Sequence, residues 1–597
     1  MYFFDPFDTY FKNPNGAIEA PAVIKLRIKL KRGETTKTWV NCYKDGDEVK
    51  KISMMFEHVV GDYNVYACEL NFDTPGLYWY SFQIETSGRV VRIPEHGEGF
   101  QITAYSKQNS SDWIAGGVIY HIFVDRFYKG SDTYQKPNAV YRDDWGGVPS
   151  YMPDAEGIVH NNDFFGGNLQ GIEEKLPYLK KLGVTCIYLS PIFEAASNHK
   201  YDTGDFLKID SGFGGDKAFE QLCEKAKKQG MNIILDGVFN HVGADSLYFN
   251  KYGSYDSLGA YQSKDSPYYK WFNFQEWPHK YDAWWGIKLL PAINEQNEAY
   301  QNFICGENGV IAHWTKKGVA GWRLDVVDEL PDTFLDLLCQ SIKRENANAY
   351  LVGEVWEDAS NKVAYSKRRR YFQGGQLDSV TNYPLKDAIV AFIKEGDAPR
   401  LATVMNSLYQ NYPPHILHSL MNILGTHDTM RILTVLGGNN FPNTKQEMEH
   451  YRLNEAQLIN AKKKLKLAVA LQFTLPGVPC VYYGDEAGME GGADPFCRIC
   501  YPWGDEDKTL VEWYSTLANL RVEQIALTNG EYELRQADEN VFAFTRGNGK
   551  EQILVVVNNS EQKICFDDTS FNYNILINLR CDKLIIKAGE VAVFGKS

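Results

Sequence analysis

From Gly117 onward, short apolar runs alternate with amphipathic segments, and this rhythm constrains the fold more than any other feature of the chain. Eight runs occur in order: VIYHIFVD, VTCIYLSP, MNIILDGVFNH, VAGWRLDVVDE, AYLVGEVWE, QLDSVTN, LMNILGTHD and VPCVYYGDE. The segments between them have helical periodicity, as in GIEEKLPYLKKLG, whose apolar face carries Ile172, Leu176, Leu179 and Leu182. Eight strands, each followed by a helix, predict an α/β fold of the (β/α)8 TIM-barrel type.

Polar residues close several of these apolar runs. In a (β/α)8 barrel the groups that do chemistry lie where the strands end, at the carboxyl face. The ends of the runs carry four acids, Asp236, Asp325, Glu354 and Asp428, with Asn240, His241 and His427 beside them. One acid at a strand end is often a helix cap, but four at one face of a barrel predict a catalytic site.

The fourth run, GWRLDVVDEL (321–330), carries two charges into an apolar strand. Side chains alternate along a strand, so Arg323 and Asp325 share one face. A neighbouring guanidinium favours the ionised carboxylate and lowers its pKa by about 1–3 units. A lone R-x-D is more often a structural ion pair. At a barrel mouth with the other acids, it predicts that Arg323 keeps Asp325 charged for chemistry.

Regions rich in β-strand patterns flank the predicted barrel. Residues 1–107 contain alternating runs such as AVIKLRIKLKRG and GLYWYSFQIET, which predict an N-terminal β-sandwich. The barrel is predicted over 113–515, and QILVVVNNS and EVAVFGKS predict a C-terminal β-sandwich over 520–597. A long, ring-rich insertion after the third strand, 243–297, is predicted to form a subdomain over the active face.

Composition excludes two classes of partner. The net charge of −14, with no basic patch, argues against nucleic acid. The longest apolar run, Leu467 to Tyr483, is shorter than a membrane span and is interrupted by Gln472, Pro476 and Pro479, so no membrane span is expected. The N-terminal residues lack the features of a secretory signal.

Cysteine usage favours a reducing environment. Eleven cysteines, an odd number without regular spacing, suggest free thiols and a cytoplasmic location. The single C-x-x-C, Cys497 and Cys500, has neither a second pair nor suitably spaced histidines, so a zinc site is not expected.

With these segments in order, the sequence resembles the α-amylase superfamily of glycoside hydrolases across the barrel and both flanking regions. The signature segments are DGVFNH (236–241), GWRLDVVDE (321–329), GEVW (353–356) and GTHD (425–428). Within the superfamily, LPAIN (290–294), Trp356 after GEV, and the N-terminal β-domain resemble the neopullulanase, cyclomaltodextrinase and maltogenic amylase group.

The resemblance implies a role for each matching residue. Asp325 would be the nucleophile, Glu354 the general acid/base and Asp428 the carboxylate that supports the distorted transition state. The residues expected to bind the sugar are Tyr201, Asp202, His199, His241, Arg323, His427 and Trp356. A retaining glycosidase needs one ionised and one protonated carboxyl group about 5–5.5 Å apart. The apolar run before Glu354 and the nearby acids should keep its proton available.

A metal ion is not expected to take part in the reaction. Relatives with a structural calcium carry several Asn and Asp residues after the first strand, whereas this chain has FYKGSD with Asp132 alone, and Asn168 stands where a related site often has Asp. Calcium prefers six to eight oxygen ligands. We therefore expect no metal and no cofactor in catalysis and leave a structural calcium ion open.

The resemblance leaves the balance of activities open. A retaining α-glucan hydrolase acting on maltooligosaccharides, cyclodextrins, pullulan or starch is expected, with some transglycosylation. One alternative is an α-glucan transferase on the same scaffold, because either water or a sugar can release the glycosyl group from the covalent glycosyl-enzyme. The other alternative is a catalytically silent glucan-binding protein. A homodimer is also expected, since in the resembling group the N-terminal domain often covers the neighbour's active face.

Overall fold

The computed structural model describes residues 2–33, 35–86, 88–107, 111–137 and 139–596. They form two compact units. The first unit comprises the described residues of Met1–Ser110, Glu357–Asp378 and Thr403–Leu417. The second comprises the described residues of Ser111–Trp356, Ser379–Ala402 and His418–Ser597. Two segments of the range predicted as barrel, 357–378 and 403–417, thus group with the N-terminal residues.

The N-terminal part of the first unit contains two sheets around one core. The first sheet has the strands Tyr2–Phe3, Lys12–Asn13, Ala22–Lys31, Met55–Val60 and Tyr63–Phe72. The second has Ile18–Glu19, Thr35–Lys44, Lys50–Ser53, Gly76–Thr86, Arg89–Ile93 and Phe100–Tyr105. One core cluster takes side chains from both sheets, including Ile28 and Phe82. The segment 357–378 adds a hairpin of Val363–Ala364 and Lys367–Arg368.

Burial follows strand alternation in the first sheet but not throughout the second. In Ala22–Lys31 the apolar residues at every second position are buried while the lysines between them are not. In Gly76–Thr86 buried residues occur on both faces. The rings of Trp79 and Tyr80 in that strand are therefore core side chains, 7% and 1% exposed, and cannot serve as surface rings.

The second unit contains the barrel, whose strands we label β1 to β8. They are Ile119–Ile122, Cys186–Leu189, Asn232–Gly237, Gly321–Leu324, Tyr350–Gly353, Ser379–Val380, Met421–Ile423 and Val478–Tyr482. All are parallel, in the order β6-β5-β4-β3-β2-β1-β8-β7. A bridge between Thr381 and Met421 joins the two ends of the sheet. The predicted (β/α)8 barrel is confirmed, with one strand in each predicted run.

Helices separate the barrel strands. The helices between residues 112 and 529 are Asp112–Ala115, Val124–Phe127, Leu169–Leu182, Gly215–Lys228, Glu298–Cys305, Val310–Lys316, Asp332–Glu345, Tyr383–Glu395, Ala398–Asn411, Pro414–Ser419, Ile432–Gly437, Lys445–His450, Glu455–Thr474, Lys508–Glu523 and Ala526–Asn529. Most of Ala398–Asn411 and Pro414–Ser419 belongs to the first unit. Leu169–Leu182 buries the apolar face that its spacing predicted. In the described part of the chain, no helix is both long and apolar enough to span a membrane.

The insertion between β3 and the helix Glu298–Cys305 has a small core of its own. It contains the hairpin Phe274–Glu276 and Lys280–Tyr281 and the 3-10 turns Tyr269–Trp271 and Trp284–Gly286. Rings such as Phe249 and Tyr281 are buried and pack edge to face. Much of the ring density is therefore core.

The C-terminal part of the second unit is a sheet-rich region, as predicted. Its main sheet has the strands Tyr532–Asp538, Val541–Arg546, Ile553–Asn558, Tyr573–Asn574, Leu579–Arg580 and Glu590–Gly595. A pair of strands, Ile564–Phe566 and Leu584–Ile586, packs against the same core cluster.

Candidate active site

Arg323, the last but one residue of β4, joins three carboxyl groups at the carboxyl end of the barrel. Its Nη1 lies 2.8 Å from Oδ1 of Asp236 and 2.7 Å from Oδ1 of Asp325, and its Nη2 lies 2.9 Å from Oε1 of Glu354. These acids come from the ends of β3, β4 and β5, and all four side chains are buried. Parallel strands of a barrel end at the same face, which brings these distant residues together.

Burial, more than the ion pair, sets the charge balance of this cluster. Desolvation raises the pKa of Asp325 well above its ordinary value, and the charges of Glu354 and Asp236 raise it further against the opposing effect of Arg323. The pKa of Asp236 is raised as well, mainly by burial. Arg323 lowers the pKa of Asp325 as predicted, but burial and the two other carboxyls outweigh it, so the net shift is upward, opposite to the prediction. Three buried carboxyls share one guanidinium. Such a site retains a proton more readily than three exposed carboxyls.

Glu354 is held at both of its carboxyl oxygens. Oε1 faces Arg323, and Oε2 accepts a hydrogen bond of 3.0 Å from the backbone N–H of Val326. Both donors lie within two residues of Asp325. The two carboxyl groups predicted to act as nucleophile and acid/base are thus anchored to the same short stretch of chain.

Tyr201 and His427 extend the cluster. Their rings stack with centroids 5.1 Å apart, and the Tyr201 hydroxyl lies 2.5 Å from Nε2 of His427. The same hydroxyl donates a hydrogen bond of 2.9 Å to Asp236. His427 Nε2 also lies 3.3 Å from Oδ2 of Asp428. Burial lowers the pKa of His427 well below its ordinary value, so this imidazole is neutral and can serve as a hydrogen-bond donor.

His241 lies beside the ring-rich insertion. Its ring stacks on Trp284 with centroids 5.2 Å apart, and Nδ1 lies 3.2 Å from the side-chain amide of Asn240. Among the described residues, the buried Nε2 has no hydrogen-bond partner. Burial lowers the pKa of His241 to about 4, which keeps the ring neutral and leaves Nε2 available to a ligand hydroxyl.

His199 and Asp202 stabilise the turn of residues 197–202 in which they lie. The carboxylate of Asp202 accepts hydrogen bonds from the N–H and the hydroxyl of Ser197, and Nδ1 of His199 accepts one of 3.1 Å from the N–H of Tyr201. This turn fixes the backbone that carries Tyr201. Direct sugar binding by His199 and Asp202 stays a prediction.

Two pairs of rings offer flat surfaces. Trp356 is 46% exposed and stacks on Tyr383 with centroids 3.9 Å apart. Trp285 is 80% exposed, stacks on Trp284 and donates to Glu329 at 3.3 Å. Of these four rings, Trp356 alone was predicted to bind the sugar.

Arg498 is a site residue that sequence reasoning missed. Its Nη2 lies 3.2 Å from Oδ1 of Asp428, its Nε donates to the His427 carbonyl at 2.8 Å, and its Nη1 lies 2.8 Å from Asp494. It lies three residues after the segment GVPCVYYGDEAGMEGGADP (477–495), which contains β8. A single arginine there has no periodicity to mark it, and only the acid at 494, four residues before it, was a signal.

The residues considered for calcium are used otherwise. Asn168 caps the helix Leu169–Leu182: its Oδ1 accepts from the Gly171 N–H at 2.8 Å, and its Nδ2 donates to the Asp132 carbonyl at 3.2 Å. Its side-chain oxygen is therefore engaged by the helix and does not fit a calcium cage with Asp132. Across the described ranges, no group of three or more His, Cys, Asp or Glu side chains is arranged to hold a metal ion.

The chain is similar to proteins of one known family. The model of the α-amylase catalytic domain family matches residues 121–544. The amylopullulanase of Thermoanaerobacterium saccharolyticum is 35% identical over 646 residues, covering 95% of this chain and 49% of that protein. The cyclomaltodextrinase of Geobacillus thermopakistaniensis is 33% identical over 464 residues, covering 76% of this chain and 70% of that protein.

The fold is also found among solved structures. The type III pullulan hydrolase from Thermococcus kodakarensis superposes with a TM-score of 0.68 at 26% identity, covering 100% of both chains. The chain spans one third to one half of the length of the amylopullulanases it matches. The predicted resemblance to the neopullulanase and cyclomaltodextrinase group is confirmed.

Proposed function

The chain belongs to the α-amylase family of glycoside hydrolases, and from this premise we propose that it hydrolyses α-glucosidic bonds of α-glucans with retention of configuration. The observation that carries the proposal is the guanidinium of Arg323, which binds the carboxyl groups of both Asp325 and Glu354. A retaining glycosidase needs two such groups at one bond, with different protonation.

In the first step Glu354 gives its proton to the glycosidic oxygen while the bond from that oxygen to C1 breaks. A carboxylate oxygen of Asp325 forms the new bond to C1, and the leaving sugar departs with the proton. Positive charge develops on the ring in the transition state. Asp428, oriented by His427 and Arg498, supplies a negative charge to stabilise it.

In the second step Glu354 takes a proton from water, and the resulting nucleophile breaks the bond between C1 and Asp325. A sugar hydroxyl can replace water in this step, which gives transglycosylation. The presence of all three acids speaks against a silent binding protein.

The rings support a glucan as the substrate. Glucose rings stack on flat aromatic faces, and the exposed faces of Trp356 and Trp285 provide them near Glu354 and His241. Relatives are named amylopullulanase, cyclomaltodextrinase and neopullulanase. We therefore assign α-1,4 bonds of maltooligosaccharides, cyclodextrins, pullulan or starch, and α-1,6 bonds as a second linkage.

Three further assignments belong to this proposal. Catalysis proceeds with the side chains named above and without a metal or cofactor. The active form is a homodimer, supported by the sheet-edge strand Met55–Val60, in which all six residues are exposed and four are apolar. The eleven free cysteines support a cytoplasmic location.

A product profile tests the function. The wild type should release oligosaccharides from β-cyclodextrin, pullulan and starch in a single preparation, and Glu354→Gln should lose at least about 100-fold in kcat on each of them. Chelator should leave wild-type rates unchanged, and sedimentation should give the dimer mass. Activity of Glu354→Gln equal to the wild type would overturn the assignment.

A further inference from the structure

Val326, the residue after Asp325, has an unusual backbone conformation. Its φ is 39° and its ψ is 51°, which is the left-handed region. Side chains branched at Cβ are strongly disfavoured there. Among the described residues with positive φ, Val326 is the only one with a branched Cβ. Strained conformations of this kind persist where the surroundings require them and are concentrated at functional sites.

The conformation lets the chain turn immediately after the strand. β4 ends at Leu324, and Val326 is the N-cap residue of the 3-10 turn Val327–Glu329, with its carbonyl accepting from the Glu329 N–H at 2.8 Å. The first residue of such a turn has no partner for its own N–H within the turn. That N–H instead donates to Oε2 of Glu354 at 3.0 Å.

This hydrogen bond connects the two groups of the proposed mechanism. The nitrogen that binds Glu354 is covalently bonded to the carbonyl carbon of Asp325. The second oxygen of Glu354 is bound by Arg323, two residues before Asp325. The relative position of the two carboxyl groups is therefore set by a few atoms of backbone and one guanidinium.

We propose that Val326 is a positioning residue whose left-handed backbone places its N–H to hold Glu354 for proton transfer opposite Asp325. This inference rests on the proposed function. When Glu354 releases its proton to the leaving oxygen, its carboxylate becomes charged, and the N–H of Val326 stabilises that charge. The same hydrogen bond keeps Glu354 directed at the glycosidic oxygen when it recovers a proton from water.

The direct test removes the N–H and keeps the side chain. Replacing valine 326 by its α-hydroxy analogue through nonsense suppression converts this amide to an ester. We expect kcat on maltotriose to fall about 10- to 100-fold, the loss typical of a hydrogen bond to a charged group. The basic limb of the pH profile should move to higher pH, because the ionised carboxylate has lost a donor.

Two comparisons separate positioning from folding. With α-maltosyl fluoride, whose leaving group needs little protonation, the ester enzyme should lose less than about threefold. Val326→Gly keeps the N–H and relieves the strain, so its Tm should be equal to or higher than that of the wild type, which tests the strained backbone independently of activity. Equal losses on both substrates with an unmoved pH profile would overturn the proposal and leave Val326 a structural turn. Full activity of Glu354→Gln would instead overturn the proposed function itself.

Discussion

Arg498 and Asp428 form an ion pair between residues that lie 70 positions apart in the sequence. The same guanidinium binds the carbonyl of His427 and the carboxylate of Asp494, so all of its nitrogens have partners. Arg498 thus fixes the backbone and the side chain of the loop that carries the third acid. It lies beyond the segments by which the site can be recognised.

Replacing Arg498 by lysine should preserve the positive charge but remove the guanidinium group that binds three acceptors at once. We expect Arg498→Lys to lower kcat about 10-fold with a small change in KM, because the role proposed for Asp428 lies mainly in the transition state. Asp494→Asn, which leaves the contact to Asp428 in place, is the matched control and should lose less than about threefold. Similar kinetics for both variants would contradict this role.

Arg323→Lys tests the centre of the site. An ammonium cannot bind Asp236, Asp325 and Glu354 together, so buried carboxyls are left without partners. We expect kcat to fall by at least about 100-fold and Tm to fall by several degrees, since breaking a buried pair costs about 3–5 kcal/mol. Arg400→Lys on the helix Ala398–Asn411, where the side chain is exposed, is the control and should leave both quantities unchanged. A variant with wild-type Tm would show that Arg323 is not needed to hold the acids.

Trp356→Ala removes the exposed ring that stacks on Tyr383. The lost stacking on a glucose unit is worth about 0.5–1.5 kcal/mol, which predicts a rise of roughly 2- to 13-fold in KM for maltotriose. Trp356→Phe keeps a flat face and should recover most of the affinity. An unchanged KM in the alanine variant would remove Trp356 from the substrate contacts.

Glu295 should make stability depend on pH. Burial, with a contribution from Glu329, raises its pKa to about 8 from an ordinary value of 4.5. The folded state therefore binds this proton more tightly than the unfolded chain, so the stabilisation is complete below pH 4.5 and is lost as pH rises through 8. Between pH 6 and about 9, the Tm of Glu295→Gln should fall less than the Tm of the wild type. The exposed Glu561→Gln should follow the wild type, and parallel curves for all three proteins would refute the assignment.

The barrel and most of the acids could be predicted because their signals are local. Each strand is a short apolar run, and Asp236, Asp325, Glu354 and Asp428 follow directly from where the runs end. Parallel strands then bring the ends together without further information. The N- and C-terminal sheets followed from alternation in the same way.

Features that depend on distant contacts could not be predicted. The net pKa shift of Asp325 was predicted in the wrong direction because the sequence shows one neighbour, Arg323, whereas the fold adds burial and two more carboxyls. Arg498 and Tyr383 gain their roles only from partners elsewhere in the fold. The left-handed backbone at Val326 contradicts the local preference of valine, and no pattern in the sequence marks it.

The central claim is that Asp325 attacks the sugar while Glu354 protonates the leaving group. The most direct measurement is mass spectrometry of the enzyme after incubation with 5-fluoro-α-glucosyl fluoride, which slows release of the covalent intermediate. We predict one fluoroglucosyl adduct on the peptide that contains Asp325, formed in the wild type and absent from Asp325→Asn. An adduct on another residue, or turnover of the reagent by Asp325→Asn at the wild-type rate, would contradict the account.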